Sequence, residues 1–130
     1  MGLDMYLLSQ INGKKENGKL GVMNGAFPLA IKTDKNQIGY WRKVYFLSNF
    51  LTEELELTAD DNCVDKEMSE QNIINTLDFL DNVINGKYKV DWYWDKDSFE
   101  QELKKSKDVF TNALKLMREE KARIYYKEWY

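Results

Sequence analysis

The sequence predicts one α+β domain spanning residues 1–130, with a short, mostly antiparallel sheet packed against about three helices. Apolar residues recur at three- and four-residue intervals in three separate stretches, and runs rich in β-branched and aromatic residues stand near both ends. The two kinds of segment do not alternate regularly enough for a doubly wound parallel sheet.

The first run, DMYLLS, is a strand former over residues 4–10, and INGKKENGKLG continues it into a variable loop near 11–24. Residues 22–33, VMNGAFPLAIKT, read as an edge strand or loop because Pro28 has no N–H for a central ladder. From Gly39 the spacing of Trp41, Val44, Tyr45, Ser48, Leu51 and Leu55 predicts an amphipathic helix with Arg42 and Lys43 near its start. Cations are unfavourable at that end of a helix dipole, which calls for a carboxylate or protein partner. After the acidic turn TADDNCVDKEMS, Ser69 caps a second helix on the stripe Ile73, Leu77, Leu80 and Ile84, and Gly86 ends it. KYKVDWYW reads as a strand. A third helix follows, with Asp97 and Glu100 as its capping pair and Phe99, Leu103, Ser106, Phe110 and Met117 on one face through residue 120. The terminal RIYYKEWY reads as an antiparallel edge or near-edge strand with Ile124, Tyr126 and Glu128 on one face and Tyr125, Lys127 and Trp129 on the other.

Composition narrows the chemistry. An apolar fraction of 43% with 14% aromatics argues for a packed core, and 32% charged residues for a soluble one. The chain has no histidine and one cysteine, Cys63, so no intramolecular disulfide forms and a standard structural zinc site lacks its ligands. No phosphate-binding loop, strand-linked GxGxxG or complete calcium loop occurs, and no cofactor is expected. No run of about twenty apolar residues and no signal-peptide pattern are present, which makes the cytoplasm the expected compartment and a membrane partner unexpected.

Charge is unevenly placed. Residues 53–81 hold one basic residue against ten acidic, whereas residues 1–52 hold seven against three. The acidic run reads either as a solvated turn and helix face or as a docking surface for a basic protein, offered by Asp60, Asp61, Asp65, Glu67 and Glu70. Phosphate-backbone binding is disfavoured there, so direct nucleic-acid binding is not expected. Trp41, Trp92, Trp94 and Trp129, with Tyr88, Tyr93, Tyr125, Tyr126 and Tyr130, read as core reinforcement, as anchors of a protein-recognition patch, or as a platform for a sugar or nucleobase. Asp4, inside an apolar run, reads as an ion-pair or backbone partner, as simply exposed, or as part of a ligand site; Arg42 and Lys43 are its candidate neighbours. No nucleophile, base and oxyanion set is visible, which argues against an enzyme more than for one.

MGLDMYL at residues 1–7 and GYWRK at residues 39–43 resemble the paired signatures of a small protein family of bacteriophages and prophages. The resemblance covers the chain in outline and makes Gly2, Asp4, Tyr6, Gly39, Tyr40, Trp41, Arg42 and Lys43 the motif-bearing positions. Members commonly continue the second signature with an Asn-, His- and Trp-rich segment; this chain has VYFLSNFL, so an activity assigned to that His does not carry over. The resemblance implies a phage accessory protein that binds and modulates a bacterial host protein in the host cytoplasm, with inhibition of host defence as its narrower form. A self-associating structural accessory protein, a homo-oligomer, is the first alternative, and a small enzyme or a ligand-binding protein comes after it.

Overall fold

A computed structural model of the chain describes residues 2–11 and 35–130. The elements are β1 (Asp4–Gln10), β2 (Asn36–Arg42), α1 (Tyr45–Glu54), a 3-10 turn at Ala59–Asp61, β3 (Lys66–Met68), α2 (Glu70–Ile84), α3 (Lys96–Glu120) and β4 (Arg123–Trp129). The strands form one antiparallel sheet in the order β2-β1-β4-β3, an α+β architecture. Beyond Ile11, the loop expected near 11–24 and the edge strand or loop expected at 22–33 lie outside the described residues.

Strand periodicity of two sets the sheet's inner face. Met5, Leu7 and Ser9 of β1 are buried, as are Ile124, Tyr126 and Glu128 of β4 and Trp41 of β2, and they share the core with Leu47, Leu51, Ile73, Leu80, Leu103 and Phe110 of the helices. β4 lies between β1 and β3, the near-edge position its sequence called for.

The GYWRK segment is a strand, not the start of a helix. Gly39 to Arg42 pair with Leu7 back to Asp4, and the ladder continues one step as the Lys43 N–H donates to the Leu3 carbonyl at 2.7 Å. Lys43 then adopts φ 58°, a left-handed conformation that neither strand nor helix continues. α1 therefore begins only at Tyr45. The helical spacing that included Trp41 was coincidental: Trp41 is buried by its strand position against α3.

Residues 87–94, KYKVDWYW, form no strand. The Lys87 and Tyr88 N–H groups both donate to the Asn82 carbonyl in closing α2, and Trp92 is committed sideways, edge-on to Phe46 and tilted against Phe99. The aromatic content that reads as a strand is used here for side-chain packing, and no strand among the described residues pairs with it.

Helix α2 begins as expected. Ser69 accepts from the Asn72 N–H at 3.1 Å while the Asn72 side chain accepts from the Ser69 N–H at 2.9 Å, and beyond the C-terminus Gly86 adopts φ 80°. Its buried face is rotated from the expected stripe: Thr76 is buried and Ile84 is 46% exposed. Thr76 tolerates burial because its hydroxyl donates to the Asn72 carbonyl at 2.8 Å. Helix α3 is capped by Asp95, which accepts from the Ser98 N–H at 3.3 Å, rather than by Asp97, so Asp97 lies inside the first turn. The Glu54 carboxylate accepts from Asn72 and Asn75 side-chain amides, both at 2.8 Å, and ties the end of α1 to α2.

Candidate functional site

The two signature segments are adjacent strands, and their residues meet. Met5 faces Trp41, Tyr6 faces Tyr40, Leu7 faces Gly39 and Asp4 faces Arg42. On the inner face Trp41 stacks on Phe110, with centroids 5.6 Å apart and planes at 20°, and its indole N–H donates to Ser106 at 2.8 Å. Gly39 leaves room for α3: a Cβ there would stand 2.6 Å from Val109 Cγ1 and 2.9 Å from the Trp41 ring. On the outer face Asp4 accepts from the Tyr40 hydroxyl at 2.5 Å and from Arg42 Nη1 at 3.0 Å. The Tyr40 hydrogen bond, with Arg42 second, holds the Asp4 carboxyl below its ordinary range, and the same bond raises the Tyr40 phenol. Asp4, Tyr6, Gly39, Tyr40, Trp41 and Arg42 therefore join β1 to β2 or β2 to α3. Lys43 sits just beyond this cluster, and Trp129, opposite Asp4 across β4, is exposed beside it.

The acidic run does not form a free surface. Asp65 pairs with Lys35 at 2.7 Å, Glu70 with Arg118 at 2.8 Å and Glu67 with Arg123 at 3.7 Å. Asp61 caps the 3-10 turn, accepting from the Thr58 N–H at 2.8 Å, and that bond lowers its titration. Asp60 is the member whose carboxylate has no partner among the described residues. Sequence clustering is thus largely neutralised by cations brought from elsewhere in the chain.

Trp92 and Trp94 lie together, with centroids 4.9 Å apart, in a larger aromatic assembly. The Trp92 N–H donates to the Asp95 carbonyl at 3.0 Å, which orients the segment before α3. Phe50 stacks on Phe79 at 4.3 Å, and Phe79 approaches Tyr88 at 6.1 Å. A groove of about 370 Å³ runs over this layer, walled by Phe46, Phe50, Phe79, Val90 and Tyr93 and rimmed by Glu53, Lys89 and Asp91. Tyr93, in its wall, is 68% exposed, and Trp94, edge-on to Tyr93, and Tyr88, against Phe79, are half exposed.

On the other flank of α1 lies a cleft of about 440 Å³ lined by Ser48, Thr52, Leu57, Thr58, Tyr130 and Glu128, with Tyr45 standing between it and the groove. Sequence reasoning grouped Glu128 with Ile124 and Tyr126 on one face of β4 and put Ser48 on the apolar stripe of the first helix, but did not join them. In the fold the Ser48 and Tyr126 hydroxyls both donate to one oxygen of Glu128, each at 2.5 Å. Burial, with the Glu128 charge next, drives the Tyr126 phenol far above its usual range, so it stays a protonated donor. A polar residue at an inward strand position was the available signal. The arrangement lacks the imidazole that carries the proton in a serine triad, and suits holding a charge more than transferring an acyl group.

A scan of protein-family models and searches of curated proteins and of solved structures each find no match to this chain. Among the described residues no group of acids, Cys or His is arranged to hold a metal ion, and no helix is long and apolar enough to cross a membrane.

Proposed function

We propose that this chain is a protein-binding accessory module that docks its partner through the aromatic groove beside residues 88–94, and that the partner is a bacterial host protein whose activity it modulates in the host cytoplasm. The observation that carries the reading is the exposure of Tyr88, Tyr93 and Trp94 around the Phe50–Phe79 stack. Rigid aromatics left half in water, with polar residues at the rim, match the composition of binding hot spots, where burial by a partner is worth most. The acidic run is the weaker docking surface because most of its carboxylates already have partners within the chain. The host assignment rests on the resemblance of MGLDMYL and GYWRK to the phage and prophage family; inhibition of a host defence protein is its narrower form.

The test is capture from a bacterial lysate followed by reconstitution with purified components. The expected result is one specific protein whose binding is lost when Tyr93→Ser and Trp94→Ser are combined and is kept in Asp60→Lys. Equal capture by the aromatic double variant overturns the groove, and absence of any specific protein overturns the reading. Sedimentation showing a dimer that the same double variant dissolves transfers the surface to self-association.

A further inference from the structure

We infer that the cleft beside α1 is a binding site for a primary alkylammonium group, with Glu128 as its counter-ion. Glu128 is 7% exposed, lines the cleft, and forms no ion pair with any described Lys or Arg. Both hydroxyl donors, Ser48 and Tyr126, converge on its Oε2. The Oε1 atom accepts from no described residue. A carboxylate removed from water is costly unless it is paired and its lone pairs are satisfied, and two neutral hydroxyls on one oxygen leave that requirement half met.

The walls indicate which cation fits. Leu57 provides an apolar surface for an alkyl chain, and Tyr45 and Tyr130, 40% and 45% exposed, add aromatic rings to the lining, which attract a cation. The volume of about 440 Å³ admits a short aliphatic amine or a lysine side chain, and the Glu128 carboxylate in its wall disfavours an anionic ligand such as a nucleotide. An ammonium has three N–H donors to offer to Glu128 Oε1 and to the Ser48 and Thr52 oxygens of the lining, whereas a quaternary amine has none. The cleft shares Tyr45 with the aromatic groove, and the proposal does not depend on the groove's function.

Two sources carry this chemistry, a free amine and a peptidyl lysine, and the titration separates them. Backbone amide NMR of the whole chain is recorded against n-pentylamine, against Nα-acetyl-lysine methylamide, and against n-pentanol as the neutral isostere. Saturable shifts at Ser48, Thr52 and Tyr130 with either amine and not with the alcohol are expected, and the tighter of the two names the source. Glu128→Gln, which keeps an acceptor for both hydroxyls, is expected to weaken binding by more than about tenfold. Ser48→Ala, tested alongside in case Glu128→Gln does not fold, is expected to weaken it more modestly. Shifts that map elsewhere, equal shifts with the alcohol, or unchanged affinity in a folded Glu128→Gln protein overturn the assignment, as does no saturable binding by the wild-type chain.

Discussion

The Trp41 indole N–H donates to the Ser106 hydroxyl at 2.8 Å in a space that water does not reach. A strand residue and the centre of the longest helix are thereby held by one polar contact inside an apolar interface. Removing the acceptor alone leaves a buried donor without a partner, at a cost of about 1–3 kcal/mol. Ser106→Ala is therefore expected to lower the urea midpoint without changing the slope. Trp41→Phe in the Ser106→Ala background is expected to cost less than the two single losses added together, since the orphaned donor is gone. Strict additivity would show that the contact carries no energy of its own.

Gly39 lies where Val109 of α3 packs onto β2. A methyl group added there meets Val109 Cγ1 at 2.6 Å, inside any real carbon contact, and the Trp41 ring at 2.9 Å on the other side. Overpacking of this kind costs about 1–3 kcal/mol. Gly39→Ala is expected to destabilise by that amount, and Val109→Ala in the same chain is expected to recover part of it. Failure of the second change to recover any stability, measured by denaturant unfolding, would place the cause outside this contact.

The strands at the chain's two ends were legible because alternation acts locally: each buried residue of β4 sits two positions from the next. Ser69 and Gly86 were legible for the same reason, since a cap uses neighbours within a few residues. GYWRK was misread because Trp41 satisfies a helical spacing with Val44 and Tyr45, and only the pairing with β1, some thirty-five residues away, decides between helix and strand. Residues 87–94 have strand composition, yet their fate depends on Phe46 and Phe99 receiving Trp92. The Glu128 cleft was invisible as a site for a related reason. Ser48 and Glu128 are eighty positions apart, and each alone reads as an isolated polar residue on an apolar face.

The start of α3 separates two aspartates two positions apart. Asp95 has extended backbone angles and its carboxylate accepts from the Ser98 N–H; Asp97 already lies in the helix. Ser98 is also the first cause of the lowered Asp95 titration, by its side chain and then by its N–H. Asp95→Ala is expected to cost about 1 kcal/mol, the usual loss for an aspartate cap. Asp97→Ala retains only a favourable charge near the helix N-terminus to lose, about 0.3–1 kcal/mol. Thermal unfolding of the two variants side by side decides it: an equal or larger loss at Asp97 would return the cap to that position.

Asp4 carries the acid sensitivity of the β1–β2 edge. Its folded titration lies below the ordinary value of 3.8, first because of the Tyr40 hydroxyl and then because of Arg42. The unfolded chain therefore binds the proton more readily than the folded one, so the stabilisation is complete above the unfolded value and is lost as pH falls through the lower folded value. Tyr40 has the opposite sign: its phenol is raised by Asp4, so its share is complete below the ordinary value of 10.0 and is lost as pH rises through the folded value. Asp4→Asn is expected to be less stable than the wild type near neutrality, with the difference narrowing below about pH 4. Tyr40→Phe removes the first cause of the shift and is expected to move the wild-type acid limb toward higher pH. Urea unfolding across the acid range tests both, and parallel pH profiles for wild type and Asp4→Asn would show that this carboxylate is not linked to folding.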